Sequence, residues 1–125
     1  MNCPCCSGKS YSDCCEPFHI GKSTAPTAEI LMRSRYAAFA LVLEDYLWET
    51  TTPLARKFHP KQEYKSWAIA NQWQKLEIVN TPSFNQVEFK AYFVDEDGEN
   101  QIHHELSKFE RMDGKWYYAF GTFLD

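Results

Sequence analysis

Between residues 28 and 43 the apolar positions recur at helical intervals. Ala28, Met32, Tyr36, Phe39 and Leu43 form one stripe, widened by Leu31 and Val42. Arg35 projects within that stripe, near its centre, while Arg33 lies more than a quarter-turn away. Thr27 is placed to cap this helix, and Glu29 suits its positive end. Residues 44–50 predict a second, shorter helix that stops at the β-branched run Thr50-Thr51-Thr52-Pro53. Residues 54–61 read as irregular, with His59-Pro60 favouring an extended bond. Residues 62–74 read as a further helix, with Tyr64, Trp67, Ala68 and Asn71 on one face. The period then changes from 3.6 to 2. Strands are predicted over 75–80, 86–95, 101–112 and 115–123, with turns at Thr81-Pro82-Ser83, around Gly98 and at Asp113-Gly114. Helices first and an antiparallel meander afterwards make an α+β fold, its helices packed on one face of a bent sheet.

The 125 residues suffice for one ordinary domain and a small appendage, with a boundary near residue 22 after which Gly21 to Pro26 reads as a linker. Aromatic residues are abundant, with nine Phe, seven Tyr and four Trp, which points to a core or cavity lined by rings. No apolar run approaches the roughly 20 residues that span a bilayer. The formal charge of −4 disfavours non-specific binding to phosphate backbones. Arg33, Arg35, Arg56, Lys57, Lys61 and Lys65 nevertheless gather in the middle third, and Asp95, Glu96, Asp97 and Glu99 fall later.

All five cysteines precede residue 16: Cys3, Cys5, Cys6, Cys14 and Cys15. Thiolates gather where one soft cation is held, and Zn²⁺ in a sulfur tetrahedron is the common solution. Cys3-Pro4-Cys5 is a short chelating pair, Cys14-Cys15 supplies a second, and Ser7-Gly8 permits the turn between them. Disulfides fit less well, because the N-terminus shows no signal-peptide pattern and the cysteine count is odd. Spacing leaves the choice of four ligands open: His19, one helical turn beyond Cys15, is able to replace it, and Cys6 competes.

The run Cys3-Pro4-Cys5-Cys6-Ser7-Gly8-Lys9-Ser10-Tyr11-Ser12-Asp13-Cys14-Cys15 resembles a SEC-C motif, the small zinc module at the C-terminus of the SecA translocation ATPase. That resemblance implies Cys3, Cys5, Cys14 and Cys15 as ligands, with Cys6 standing where the motif usually has Gly. The rest of the chain is similar to the YchJ-like family, which carries a SEC-C motif before an NTF2-like domain. The similarity is carried by Pro26-Thr27-Ala28-Glu29-Ile30-Leu31-Met32-Arg33-Ser34-Arg35-Tyr36, by Tyr46-Leu47, by Trp73 with Leu76-Glu77-Ile78, by Val87-Glu88-Phe89, by His104-Glu105-Leu106-Ser107-Lys108-Phe109 and by Asp113-Gly114-Lys115-Trp116-Tyr117-Tyr118. It implies a zinc-binding motif over residues 1–22 and an NTF2-like domain over 23–125. That domain would be a cone in which a curved sheet wraps around helices and leaves a cavity. The family has no established activity.

Within such a cone, the strand over 102–111 has two parities, one carrying Ile102, His104, Leu106 and Lys108, the other His103, Glu105, Ser107 and Phe109. Neither is apolar throughout, which suggests a polar lining. An arginine on an apolar helix face keeps its proton and must find a partner or snorkel. The expectation is that Glu105 or His104 meets Arg35 inside the cone, flanked by Tyr36, Trp48 and Trp116. His59, His103, His104 and Glu105 are the candidate bases if the cone catalyses. A Cys₄ zinc site keeps no open position for water and is structural.

Three functions follow. The first is a zinc-binding interaction protein in the cytoplasm, its knuckle contacting a protein or ribonucleoprotein partner and its cone offering a pocket for a small ligand. The second is an enzyme acting on a small molecule in the cone. The third is RNA or ribosome binding through Arg56, Lys57, Lys61 and Lys65, with Trp67 and Trp73 as stacking rings.

Overall fold

A computed structural model describes residues 1–124. A cysteine-rich tip comes first, closed by the isolated bridge Asn2–Ser10 and by Cys3 N–H donating to Lys9 O at 2.9 Å. It contains a single 3₁₀ turn and a one-turn helix α1 (Glu16–His19). The helices α2 (Ala28–Ala40), α3 (Glu44–Glu49) and α4 (Lys61–Ala70) follow. The sheet comprises β1 (Gln72–Ser83), β2 (Gln86–Val94), β3 (Asn100–Met112) and β4 (Lys115–Phe123), all antiparallel in the order β1-β2-β3-β4. No helix among the described residues is long and apolar enough to cross a membrane.

Local chemistry sets the boundaries. Thr27 accepts a hydrogen bond from Ile30 N–H and caps α2, as its position predicts. At the other end, Leu43 N–H reaches back to Ala38 O at 2.8 Å and Val42 N–H to Phe39 O at 3.2 Å, a Schellman closure that forces Val42 to φ 58°. Asp113 and Gly114 adopt φ 52° and 77°, the left-handed pair that a two-residue hairpin between right-twisted strands requires.

Two expectations are corrected. The helix over 62–74 ends at Ala70, because Asn71 is already extended, so Trp73 is a strand residue. β1 also continues through Thr81-Pro82-Ser83, where a turn was expected. It is an edge strand with register shifts on either side of Asn80, and an edge tolerates the proline's missing N–H.

The main core joins Ala28, Leu31, Met32 and Tyr36 of α2 to Leu76, Val87, Phe89, Ala91, Phe109 and Trp116 of the sheet. A second cluster packs Ala38, Leu47 and Tyr64 between the helices. A third places Ala37 against Cys3, Cys5 and Cys15. α2 is therefore buried on more sides than its apolar stripe suggests: Ser34, Ala37 and Ala38 are fully covered by the tip and by α3.

Candidate functional site

The tip brings Cys3, Cys5, Cys14 and Cys15 together, with their sulfurs all within 4.8 Å of one another. Cys5 and Cys14 sulfurs are 3.6 Å apart, and those of Cys14 and Cys15 are 3.8 Å apart. A tetrahedral zinc–thiolate site with bonds of about 2.3 Å separates its sulfurs by about 3.8 Å, so the donor set fits one such ion. Cys3, Cys5 and Cys15 are buried, and Cys14 is half-buried with Ser7 Oγ 3.2 Å from its sulfur. Among the thiols alone, hydrogen bonding from Cys15 lowers Cys5 to about 4. Burial lifts Cys3 to about 11, and the bond to Cys5 together with burial raises Cys15. Four thiolates packed this closely repel one another, so carrying all four ionised together requires a cation between them.

The other two candidate ligands point elsewhere. Cys6 is exposed at φ 66°, and its sulfur lies 3.5 Å from Pro4 O and accepts Leu76 N–H at 3.5 Å. The left-handed conformation gives a physical reason for glycine at this place in a SEC-C motif. His19 is occupied at both ring nitrogens: Nδ1 is 2.7 Å from Tyr11 Oη and Nε2 is 2.8 Å from Ser34 O of α2. Arg33 adds a second tie, donating to Cys5 O at 3.0 Å while paired with Glu29 at 3.3 Å. The tip is thereby fixed to α2 through backbone carbonyls on both sides.

The curved sheet and the helices enclose a cavity of about 390 Å³. Arg35, 4% exposed, lies in its wall. Its Nη1 donates to Leu47 O at 2.7 Å, to Thr50 Oγ1 at 2.7 Å and to Thr51 Oγ1 at 3.4 Å; Nη2 donates to Tyr64 Oη at 2.9 Å. Across the cavity, Glu105 is 6% exposed. His103 Nε2 is 2.8 Å from its Oε1, while Ser107 Oγ and Tyr118 Oη donate to Oε2, the latter at 3.2 Å. Burial works to raise the Glu105 carboxyl, but the bonds from His103, Ser107 and Tyr118 prevail and hold it below its ordinary value. His59, facing the same space, is lowered by burial and by Arg35, so it is a neutral imidazole near pH 7. Tyr118 separates the two charges: its ring lies 4.9 Å from the Arg35 guanidinium carbon.

Against known proteins, the family model described as the YchJ middle NTF2-like domain matches residues 27–121. The chain belongs to the YchJ family. A UPF0225 protein of Actinobacillus succinogenes is 43% identical over 96% of this chain and 80% of that protein. A UPF0225 protein of Geobacter sulfurreducens is 40% identical, covering 95% and 77%. The solution structure of a SEC-C motif containing protein from Rhodopseudomonas palustris superposes with TM-score 0.90 at 39% identity, covering all of both chains. A crystal structure of a SEC-C motif containing protein from Psychrobacter arcticus gives TM-score 0.81 at 37% identity, over 98% of this chain and 82% of that one. The fold is thus the NTF2-like cone with a small N-terminal SEC-C tip.

In this YchJ-family cone the expected pocket residues divide. Arg35, Tyr36 and Glu105 line the cavity. His104 does not: it has the opposite parity to Glu105 and its Nε2 lies 2.6 Å from Glu88 Oε2 on the outer face. Trp48 is also outside, because Leu47 takes the inward position of α3 and the next residue turns about 100° away. Its ring instead lies 4.1 Å from the Arg56 guanidinium carbon. Trp116 is buried near the start of α2, donating Nε1–H to Pro26 O at 3.2 Å. Arg35 reaches Glu105 only through Tyr118, since its own donors satisfy the end of α3.

Three members of the basic cluster, Arg56, Lys61 and Lys65, are engaged within the fold. Arg56 donates to Trp48 O, Thr51 O and Glu49 O, Lys61 pairs with Asp45 at 2.8 Å, and Lys65 with Glu44 at 3.9 Å. Of the two expected stacking rings, Trp73 is part of the cavity wall with Trp67.

Reading by residue type missed Tyr64, Ser107, Tyr118 and Gly121. A Cβ at Gly121 would overlap the Glu105 carboxylate and lie 2.8 Å from its Cγ, so the bare glycine makes room for the buried acid.

Proposed function

We propose that this chain is a zinc-binding interaction protein whose SEC-C tip presents a fixed contact surface to a protein or ribonucleoprotein partner, with a small-ligand pocket in its cone. The observation that carries this reading is the closure of four sulfurs within 4.8 Å on a segment with little apolar core of its own. Zn²⁺ on Cys3, Cys5, Cys14 and Cys15 supplies the missing stability, because binding free energy at such a site is folding free energy. Four thiolates complete a tetrahedron, so the ion holds shape rather than activating water. Lys9, Ser12, Asp13 and Ile20 remain exposed and free for contact. The unbridged thiols suit a reducing compartment, the cytoplasm.

A second reading, an enzyme acting on a small molecule in the cone, is favoured by the neutral His59 beside Arg35 and Glu105. Glu105 itself is a weak base, because three donors stabilise its ionised form. Affinity capture with the intact chain and with a Cys14→Ser/Cys15→Ser variant, analysed for both protein and RNA, tests the contact role. A partner retained only by the intact, zinc-loaded chain is the expected result. Identical captures from both would remove the tip from the interaction.

A further inference from the structure

Resting on the pocket reading above, we propose that the cone takes an uncharged, flat ring compound that presents an N–H or O–H donor to Glu105. A carboxylate offers about four acceptor positions. His103, Ser107 and Tyr118 use three of them, leaving one on Oε1 in a side chain only 6% exposed and facing the cavity. Its charge has a counterpart. No ion pair joins Arg35 to a carboxylate among the described residues, and its four hydrogen bonds all go to neutral acceptors. The guanidinium and Glu105 lie on either side of Tyr118 and compensate each other across it.

That balance selects the ligand's charge. An anion docking on Arg35 would leave Glu105 uncompensated, and Glu63 in the same lining would repel it further. A cation docking on Glu105 would leave Arg35 uncompensated. A neutral donor fills the open position and disturbs neither. The walls select its shape: Trp67 and Trp73 meet edge to face with centroids 6.0 Å apart, and Trp73 is 5.4 Å from Phe39. Tyr36, Phe89 and Phe123 extend the ring surface towards Glu105. A cavity of about 390 Å³ lies at the small end of ligand sites, suited to one or two fused rings.

Calorimetric titration of the full zinc-loaded chain near pH 7 with 2-naphthol, 2-naphthoate and 2-naphthylmethylammonium holds the ring constant and varies the polar group. The naphthol is expected to bind at least about tenfold more tightly than either ion, the size of a hydrogen bond to a charged group. Glu105→Gln should erase most of that preference. If either ion binds as well as the naphthol, or Glu105→Gln folds normally and keeps the preference, the ligand class is overturned while the pocket stands. If none of the three binds at millimolar concentration, the pocket reading fails and this inference with it. Should Glu105→Gln not fold, the rank order on the unmodified chain decides alone.

Discussion

Gly121→Ala is a one-methyl perturbation with a large expected effect. Gly121 pairs with Ser107 across the β3–β4 ladder, and the Glu105 carboxylate lies directly over it. The added Cβ cannot coexist with Glu105 Cγ at 2.8 Å, so the carboxylate must swing away and lose its bonds from Ser107 and Tyr118. Hydrogen bonds to a charged group contribute about 1.5–3 kcal/mol each, and part is recovered from solvent in the cavity, so the net loss is about 2–4 kcal/mol. For a chain of this length that corresponds to a fall of roughly 10 °C in the melting temperature.

The pH dependence supplies a sign. A carboxyl lowered in the folded state stabilises the protein above its unfolded value and loses that contribution as pH falls through the folded value. Gly121→Ala should therefore flatten the acid limb of the stability profile. The decisive assay is a double-mutant cycle by thermal or urea denaturation followed by circular dichroism. With Glu105→Ala the obstructing atoms are gone, and Gly121→Ala should then cost less than about 0.5 kcal/mol. Additive losses in the two backgrounds, or an unchanged melting temperature for Gly121→Ala alone, would refute the clamp.

Other outcomes are equally concrete. Arg33→Ala removes the donor to Cys5 O, and amide hydrogen exchange in residues 3–15 should rise while the sheet keeps its protection. Val42→Gly should raise stability by about 1 kcal/mol in urea denaturation, because it relieves a β-branched side chain held at φ 58°. His59 is lowered in the folded state, so its contribution is present above its ordinary value of 6.5 and is lost on acidification below it. His59→Phe should show a smaller loss of stability between about pH 6.5 and 5 than the unmodified chain.

Much of this architecture was legible in the sequence because it follows from periodicity. The α2 stripe, the alternation of Val87, Phe89, Ala91 and Phe93, and the Asp113-Gly114 turn each fix their own local geometry. What escaped depends on where distant elements meet. A register shift between Lys108 and Phe109 lets β4 change parity: Trp116 and Tyr118 face inward, then Gly121 and Phe123, leaving Phe120 outside. No strict alternation places Gly121 beneath Glu105. Parity does separate His103 from His104, and the strand's inward face carries His103, Glu105 and Ser107 together. The role of His19 was hidden for a different reason, since its partner at Ser34 O appears only once the tip has docked on α2. The four candidate ligands that the motif resemblance implies, by contrast, form one cluster that leaves Cys6 aside.

The most direct measurement is native mass spectrometry of the freshly reduced chain with parallel metal analysis. One zinc per chain is expected, lost on Cys14→Ser, retained on Cys6→Ser, and released by chelator together with protection of residues 3–15. A reduced, folded chain that carries no stoichiometric metal, or a tip that stays ordered after chelation, would contradict a structure held by four sulfurs around one ion.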